Sequence, residues 1–282
     1  MKINTISTID PSFPEVYRQI PNSPKRLWYL GDIQPGLRAV AIVGTRKVTA
    51  YGRTVTTKIA EGLARRGVTI VSGLALGIDA IAHEGALSQG GKTIAVLPCG
   101  IDRIYPSSHR QLAERILERG GILTEYEPGL PVMQYRLLER NRLVSGLADA
   151  LIVTEAAAKS GTMNTVAHAL QQGKDVYAVP GNITSPMSSG CNKLIEQGAT
   201  PIINIDEFIE SFAPLATQPK QALLLAKTPE EQVIVDLLQS GIRDGDELLA
   251  KSKLKPEVFS TTLTMLELRS VIHPLGANMW SL

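Results

Sequence analysis

Residues 39–77 read AVAIVGTRKVTAYGRTVTTKIAEGLARRGVTIVSGLALG. Ala39 to Val43 and Val68 to Val71 are short runs rich in Val and Ile with no polar–apolar alternation, the pattern of parallel strands buried on both faces. Between them Val55, Ile59 and Leu63 recur at four-residue spacing, an apolar stripe that faces a sheet, and Gly67 stops the helix before the next strand. Strand, helix and strand in this order make a crossover unit, and the pattern continues. Thr93 to Leu97, Gly121 to Thr124, Ala150 to Val153 and Asp175 to Val179 are further runs of the same kind, separated by amphipathic stretches. The fold class predicted is α/β: a Rossmann-like, doubly wound, mostly parallel sheet over residues 37–212.

Outward from this region the composition changes on both sides. Residues 1–36 carry Pro11, Pro14, Pro21 and Pro24 and read as an extended lead-in that packs on the main domain. Residues 213–228 include Pro214, Gln218, Pro219 and Lys220 and read as a linker. Residues 229–282 read as a second, compact unit. Pro229 opens a helix through Leu238, a second helix lies near Asp246 to Ala250, and a third from Pro256 to Leu268 turns Phe259, Leu263 and Leu266 inward. Val271 to Trp280 read as a hairpin turning at Leu275 to Asn278. Three helices followed by a hairpin predict a small C-terminal winged-helix domain.

With 282 residues, 44% hydrophobic and 20% charged, the chain has enough apolar material for one large and one small folded domain. A formal net charge of +2 is only mildly basic, so any nucleic-acid footprint has to be a local cluster. Cys99 and Cys191 are far apart with no ligand-like neighbours, which argues against a zinc site or a disulfide framework, and neither metal nor cofactor is expected. Met1 to Ile9 has no signal-peptide core and no apolar run reaches membrane-spanning length, so a cytoplasmic protein is expected.

In an open parallel sheet, anions bind where strands end and helices begin, because free N–H groups and the helix dipole converge there. The first such junction reads Gly44-Thr45-Arg46, with Arg46 as a bidentate donor; a tight turn with a solvated arginine is the equal alternative. The second reads Ser72-Gly73-Leu74-Ala75-Leu76-Gly77-Ile78-Asp79, in which Gly73 and Gly77 suit a phosphate-approaching turn and Asp79 reads as a structural cap. One glycine in the first loop and Ser72 ending the second strand do not make a dinucleotide fingerprint, so NAD is disfavoured. The third junction places Lys159 beside Ser160, Gly161 and Thr162 at a helix N-terminus, an anion site; the lysine precedes the glycine, so this is not a triphosphate-binding P-loop. On a helix, Arg136 and Arg140 stand one turn apart, flanked by Asn141 and Arg142.

Taken in order, Gly44-Thr45-Arg46, Ser72 to Asp79, Arg140-Asn141-Arg142, Ser160-Gly161-Thr162, Val179-Pro180-Gly181-Asn182 and Gly190-Cys191-Asn192-Lys193-Leu194-Ile195 resemble the motif series of the DNA-processing protein A (DprA/Smf) family. The resemblance is strong over Arg38 to Phe212, and the C-terminal unit resembles the winged helix many members carry. It implies a protein with no established catalytic reaction, one that binds and protects single-stranded DNA, displaces single-strand-binding protein and loads RecA during natural transformation, as a homodimer. It further implies phosphate contacts from Arg46, Arg140, Arg142, Lys159, Ser160, Gly161 and Lys174, and stacking is limited to Tyr51, Tyr105 and Tyr135, whose commoner role is packing. The chain departs from the family in two places. Leu137 and Leu138 stand near the family's usual Phe-Pro, and the stretch before Val43 is too short for the helical N-terminal domain many members carry.

Two other readings compete. Nucleotide phosphoribohydrolases of the same superfamily use a Gly-Gly-x-Gly-Thr-x-x-Glu loop; here Gly161-Thr162-Met163-Asn164 is followed by Thr165, leaving only Glu155 or Asp79 as acid/base groups. A duplex-reading regulator would use the third C-terminal helix, but Glu257 and Glu267 balance Lys255 and Arg269 there.

Overall fold

The computed structural model describes residues 3–214, 228–269, 271–276 and 278–281. The chain divides into two compact units, Met1–Pro214 and Leu215–Leu282. Most of the expected linker, residues 215–227, lies outside the described residues.

The first unit is built on one sheet. Its strands are β1 (Asn4–Ser7), β2 (Arg26–Gly31), β3 (Ala39–Val43), β4 (Thr69–Ser72), β5 (Thr93–Val96), β6 (Gly121–Thr124), β7 (Ala150–Val153), β8 (Asp175–Ala178) and β9 (Thr200–Pro201). They lie in the order β1-β2-β6-β5-β4-β3-β7-β8-β9. From β6 to β9 all neighbours are parallel, with Val40 opposite Ile70 on one side and Ala150 on the other. Every residue of β3 to β7 is buried, which accounts for the unbroken apolar runs.

Helices cover both faces. On one, α2 (Ala50–Arg65) and α3 (Ile78–Ser88) set Val55, Ile59, Leu63, Ile78 and Ala82 against Val40, Ile42 and Ile70. On the other, α5 (Gln134–Gly146) sets Leu143 and Val144 against Ala41, Val43 and Leu151, beside α6 (Thr162–Gln171). Burying each such side chain contributes roughly 1.5–3 kcal/mol before entropy is charged. The remaining helices here are α1 (Glu15–Arg18), α4 (Arg110–Arg119), α7 (Ser189–Glu196) and α8 (Ile205–Phe212).

The N-terminal segment is more than an extended lead-in. β2 pairs antiparallel with β6, Trp28 opposite Thr124, β1 pairs antiparallel with β2 at the sheet edge, and α1 packs under α5. Tyr17 is fully buried there, and its hydroxyl donates to the Leu143 carbonyl at 2.9 Å.

The second unit contains α9 (Pro229–Gln239), α10 (Gly245–Ser252), α11 (Pro256–Leu268) and a hairpin of β10 (His273–Gly276) with β11 (Met279–Ser281). Pro229 and Pro256 occupy first turns, where a missing N–H costs nothing, and the Thr228 and Asp244 side chains cap α9 and α10. Its own core gathers Ile234, Val235, Leu248, Phe259, Leu263, Leu266 and Ile272.

Candidate functional site

β3 has β4 on one side and β7 on the other, so the winding reverses at this strand and leaves a crevice beyond the C-terminal ends of the three. The loops that leave these strands are tied together by backbone bonds: Thr45 N–H to the Glu155 carbonyl at 2.7 Å, and Ile78 N–H to the Thr45 carbonyl at 3.2 Å. With the first half of α5 they enclose a cavity of about 410 Å³. Gly44, Arg46, Gly73, Arg140, Asn141, Ser160, Gly161 and Thr162 all line it, so eight residues singled out from separate stretches of sequence converge on one hollow.

Its floor is charged and buried. Arg140 is only 4% exposed; its Nη1 donates to the Gly73 carbonyl at 2.6 Å and to the Val96 carbonyl, while its buried Nε has no partner. No carboxylate forms an ion pair with it among the described residues; Asp79 acts on it only through space. Burial therefore pulls the Arg140 guanidinium below its ordinary range. The Asp79 Oδ2 accepts from Gly73 N at 3.1 Å and Ala75 N at 3.3 Å. Asp79 thus braces the loop before its own helix, whose N-cap is Gly77, instead of capping that helix. Burial raises its pKa, against the opposing pull of Arg140 and the two amides.

At the rim, Gly161 is the N-cap of α6; Met163 N donates to the Ser160 carbonyl at 3.1 Å and Asn164 N to the Gly161 carbonyl at 3.2 Å, which leaves the Gly161 and Thr162 amides to serve the cavity that both residues line. The Ser160 Oγ is buried without a hydrogen-bond partner. Arg46 is exposed, lines the cavity and makes no ion pair among the described residues. The glycines differ in what they are for. A Cβ on Gly77, at φ +87°, would meet the Thr45 carbonyl at 2.3 Å, and one on Gly44 would meet the Glu155 carbonyl at 2.6 Å. A Cβ on Gly161 would meet nothing within 4 Å, at φ −61°.

Several expected site residues fall elsewhere. Lys174 precedes β8 and sits at the N-terminal edge of the parallel strands, the edge opposite the cavity. Arg142 turns off the helix face that carries Arg140 and pairs with Glu125 at 2.5 Å, lining a separate hollow with His168 and Asn164. Ser72 is fully buried and donates to the Ile42 carbonyl at 2.7 Å, and Gly77 is a turn glycine. Lys159 is exposed on the loop leading to the rim but does not line the cavity. Asn141 lines it and also donates to Asn164 Oδ1 at 3.1 Å. The late glycine loops are scaffold: Asn192 holds both backbone groups of Gly181, and Gly190 packs on the Ala156 and Ala157 carbonyls.

The apolar wall of Leu137, Leu138 and Val144 had no distinguishing signal, since apolar spacing on a helix does not separate cavity wall from core. Tyr105 lines a small adjoining recess with Arg46 and Leu76; Tyr51 donates to the Pro180 carbonyl at 2.7 Å, and the Tyr135 ring lies 5.5 Å from the Arg136 guanidinium. Glu155 is occupied, accepting from Thr49 N at 2.9 Å and Thr49 Oγ1 at 2.6 Å, and takes no part in the cavity lining. Among the described residues no cluster of His, Cys, Asp and Glu could hold a metal ion, and no helix is long and apolar enough to cross a membrane.

The family model for DNA recombination-mediator protein A matches residues 4–213, and that for the DprA winged helix domain matches residues 216–278. The chain belongs to the DprA/Smf family. A putative DNA processing protein DprA of Mycobacterium tuberculosis is 41% identical over 257 residues, covering 87% of this chain and 66% of that one. DprA of Bacillus subtilis is 37% identical over 213 residues, 74% of this chain and 71% of that protein. Among solved structures, that of DprA from Streptococcus pneumoniae superposes with a TM-score of 0.70 at 36% identity, covering 74% of each chain. A structure of DprA from Helicobacter pylori, which concerns that protein's single-stranded DNA binding mode, gives a TM-score of 0.68 at 36% identity over 75% of this chain and 96% of that one. This DprA/Smf chain spans about two thirds or less of the length of the first of these relatives, and it has the mostly parallel α/β sheet and C-terminal winged helix of the family.

Proposed function

We propose that this DprA/Smf chain is a recombination mediator that binds single-stranded DNA by its phosphates at the switch-point cavity, shields it, displaces single-strand-binding protein and loads RecA, acting in the cytoplasm as a homodimer during natural transformation. The observation that carries the reading is the buried Arg140, a guanidinium in the cavity floor that is hydrogen-bonded to carbonyls and forms no ion pair among the described residues, Asp79 reaching it only through space. Burying this cation is costly, Asp79 offsets only part of that cost through space, and an incoming phosphate brings a closer opposite charge. Arg46 and the Gly161 and Thr162 amides give further donors, and none of these groups reads a base, so binding is independent of sequence. The likeness to the Helicobacter pylori protein supports the choice of single strands.

Fluorescence anisotropy with a labelled oligonucleotide, single-stranded and duplex, tests the first step: single strands bind more tightly, and affinity falls with salt. Equal or better binding of the duplex contradicts it. RecA ATPase on DNA precoated with single-strand-binding protein tests the second: the chain accelerates its onset, and an unchanged lag contradicts the loading role.

A further inference from the structure

The walls of the cavity hold more than a DNA backbone needs. A phosphodiester asks only for donors, and Arg46, Arg140 and the Gly161 and Thr162 amides provide them. Leu137, Leu138 and Val144 add an apolar wall, and Asp79 adds a carboxylate that would repel a lone phosphate. That carboxylate is 7% exposed; Oδ2 is spent on two backbone amides, and Oδ1 has no hydrogen-bond partner among the described residues. The volume of about 410 Å³ lies within the roughly 300–1,000 Å³ typical of small-molecule sites. A ligand with an anionic end, a flat apolar body and an N–H or O–H donor satisfies every wall at once.

We propose that the cavity accepts one free nucleoside 5′-monophosphate, its phosphate on the α6 N-terminus and Arg46, its base against Leu137 and Leu138 and a nucleoside donor on Asp79, and that this nucleotide and single-stranded DNA exclude each other. The inference rests on the cavity being the phosphate site of the DNA reading above. The open space beyond Gly161 is where the phosphate approaches the backbone, since no part of the chain fills it.

Calorimetric titration of the full chain with 2′-deoxyadenosine 5′-monophosphate, inorganic phosphate and deoxyadenosine, each with and without saturating oligo(dT), tests this. The monophosphate saturates one site per chain, each fragment binds at least about tenfold more weakly because it satisfies only part of the wall, and oligo(dT) abolishes the heat. Gly161→Ala does not lower the melting temperature of the unliganded chain and weakens the monophosphate about tenfold or more. Asp79→Asn retains one acceptor for the Gly73 and Ala75 amides and turns the other oxygen into a donor, so it narrows the preference for monophosphate over inorganic phosphate. No heat from the monophosphate while oligo(dT) still binds overturns the proposal and leaves the DNA reading standing. A monophosphate no tighter than inorganic phosphate, indifferent to oligo(dT) or unaffected by Gly161→Ala overturns it as well. If neither nucleotide nor DNA binds, the DNA reading itself has failed.

Discussion

Gly77 and Gly161 illustrate how one residue type serves two ends. Gly77 is required by its own chain, with φ +87° and the Thr45 carbonyl in the way of any Cβ; Gly161 is required by nothing in the chain. Gly77→Ala is expected to cost roughly 1–3 kcal/mol of stability, whereas Gly161→Ala is neutral or gains up to about 1 kcal/mol from the stiffer unfolded chain. Urea denaturation of the two variants checks this; a reversed order contradicts the division of roles. His83 is a second residue whose surroundings set a measurable property. It is fully buried, bonded through Nδ1 to Thr93 Oγ1 at 2.6 Å, and burial, reinforced by His109 and Arg140, lowers its pKa from 6.5 to about 3. The unfolded chain takes up a proton that the folded chain refuses, so this residue makes stability fall as pH drops from 6.5 towards 3, by at most one proton's worth of slope. His83→Gln is expected to flatten that part of a Tm-against-pH curve, and an unchanged curve contradicts it. At this scale the cavity-lining positions of Arg46, Gly73 and Ser160 to Thr162 were legible, because glycines and polar residues at strand ends mark the loops that border the crevice.

Elements decide what single residues cannot. The triplet Arg140-Asn141-Arg142 reads as one basic face, yet on α5 successive residues turn by about 100°, so Arg140 enters the cavity floor while Arg142 reaches Glu125. Burial raises the Glu125 pKa while Arg142 opposes it, and Glu125 is left without a partner when Arg142 is cut back. Arg142→Ala is therefore expected to lower stability by roughly 3 kcal/mol and to leave the salt dependence of DNA binding unchanged, read from urea denaturation and anisotropy on the same variant. A stable variant with weakened, less salt-sensitive binding returns Arg142 to the phosphate site. Lys174 was misplaced for a topological reason: a lysine just before a strand belongs to the edge where parallel strands begin. The segment Arg26 to Gly31 carries Leu27, Trp28, Tyr29 and Leu30, a β-favouring run, but the surrounding prolines hid it and antiparallel pairing with β6 is not written in crossover spacing. On α11 the outward Val258, Met265 and Leu268 are apolar, which suits neither groove nor phosphate.

Across the molecule, the alternation of strand and helix was sufficient for the sheet, and the three helices and hairpin for the second unit, since both rest on periodicities that burial enforces. The cavity was legible only as separate glycine loops; that they meet follows from the strand order, with β3 between β4 and β7, which no local pattern encodes. The small net charge of +2 is consistent with a basic site confined to this crevice. The crevice and its approach as a phosphate site are tested most directly by the salt dependence of single-strand affinity in the native chain and in a double variant, Arg46→Ala in the cavity with Lys159→Ala on the loop that leads to its rim. If both side chains neutralise phosphates, the slope of log K against log salt becomes shallower by about 1.4, near 0.7 for each lost contact, with the melting temperature unchanged. A double variant with the native slope and affinity places the DNA elsewhere on the chain and contradicts the account.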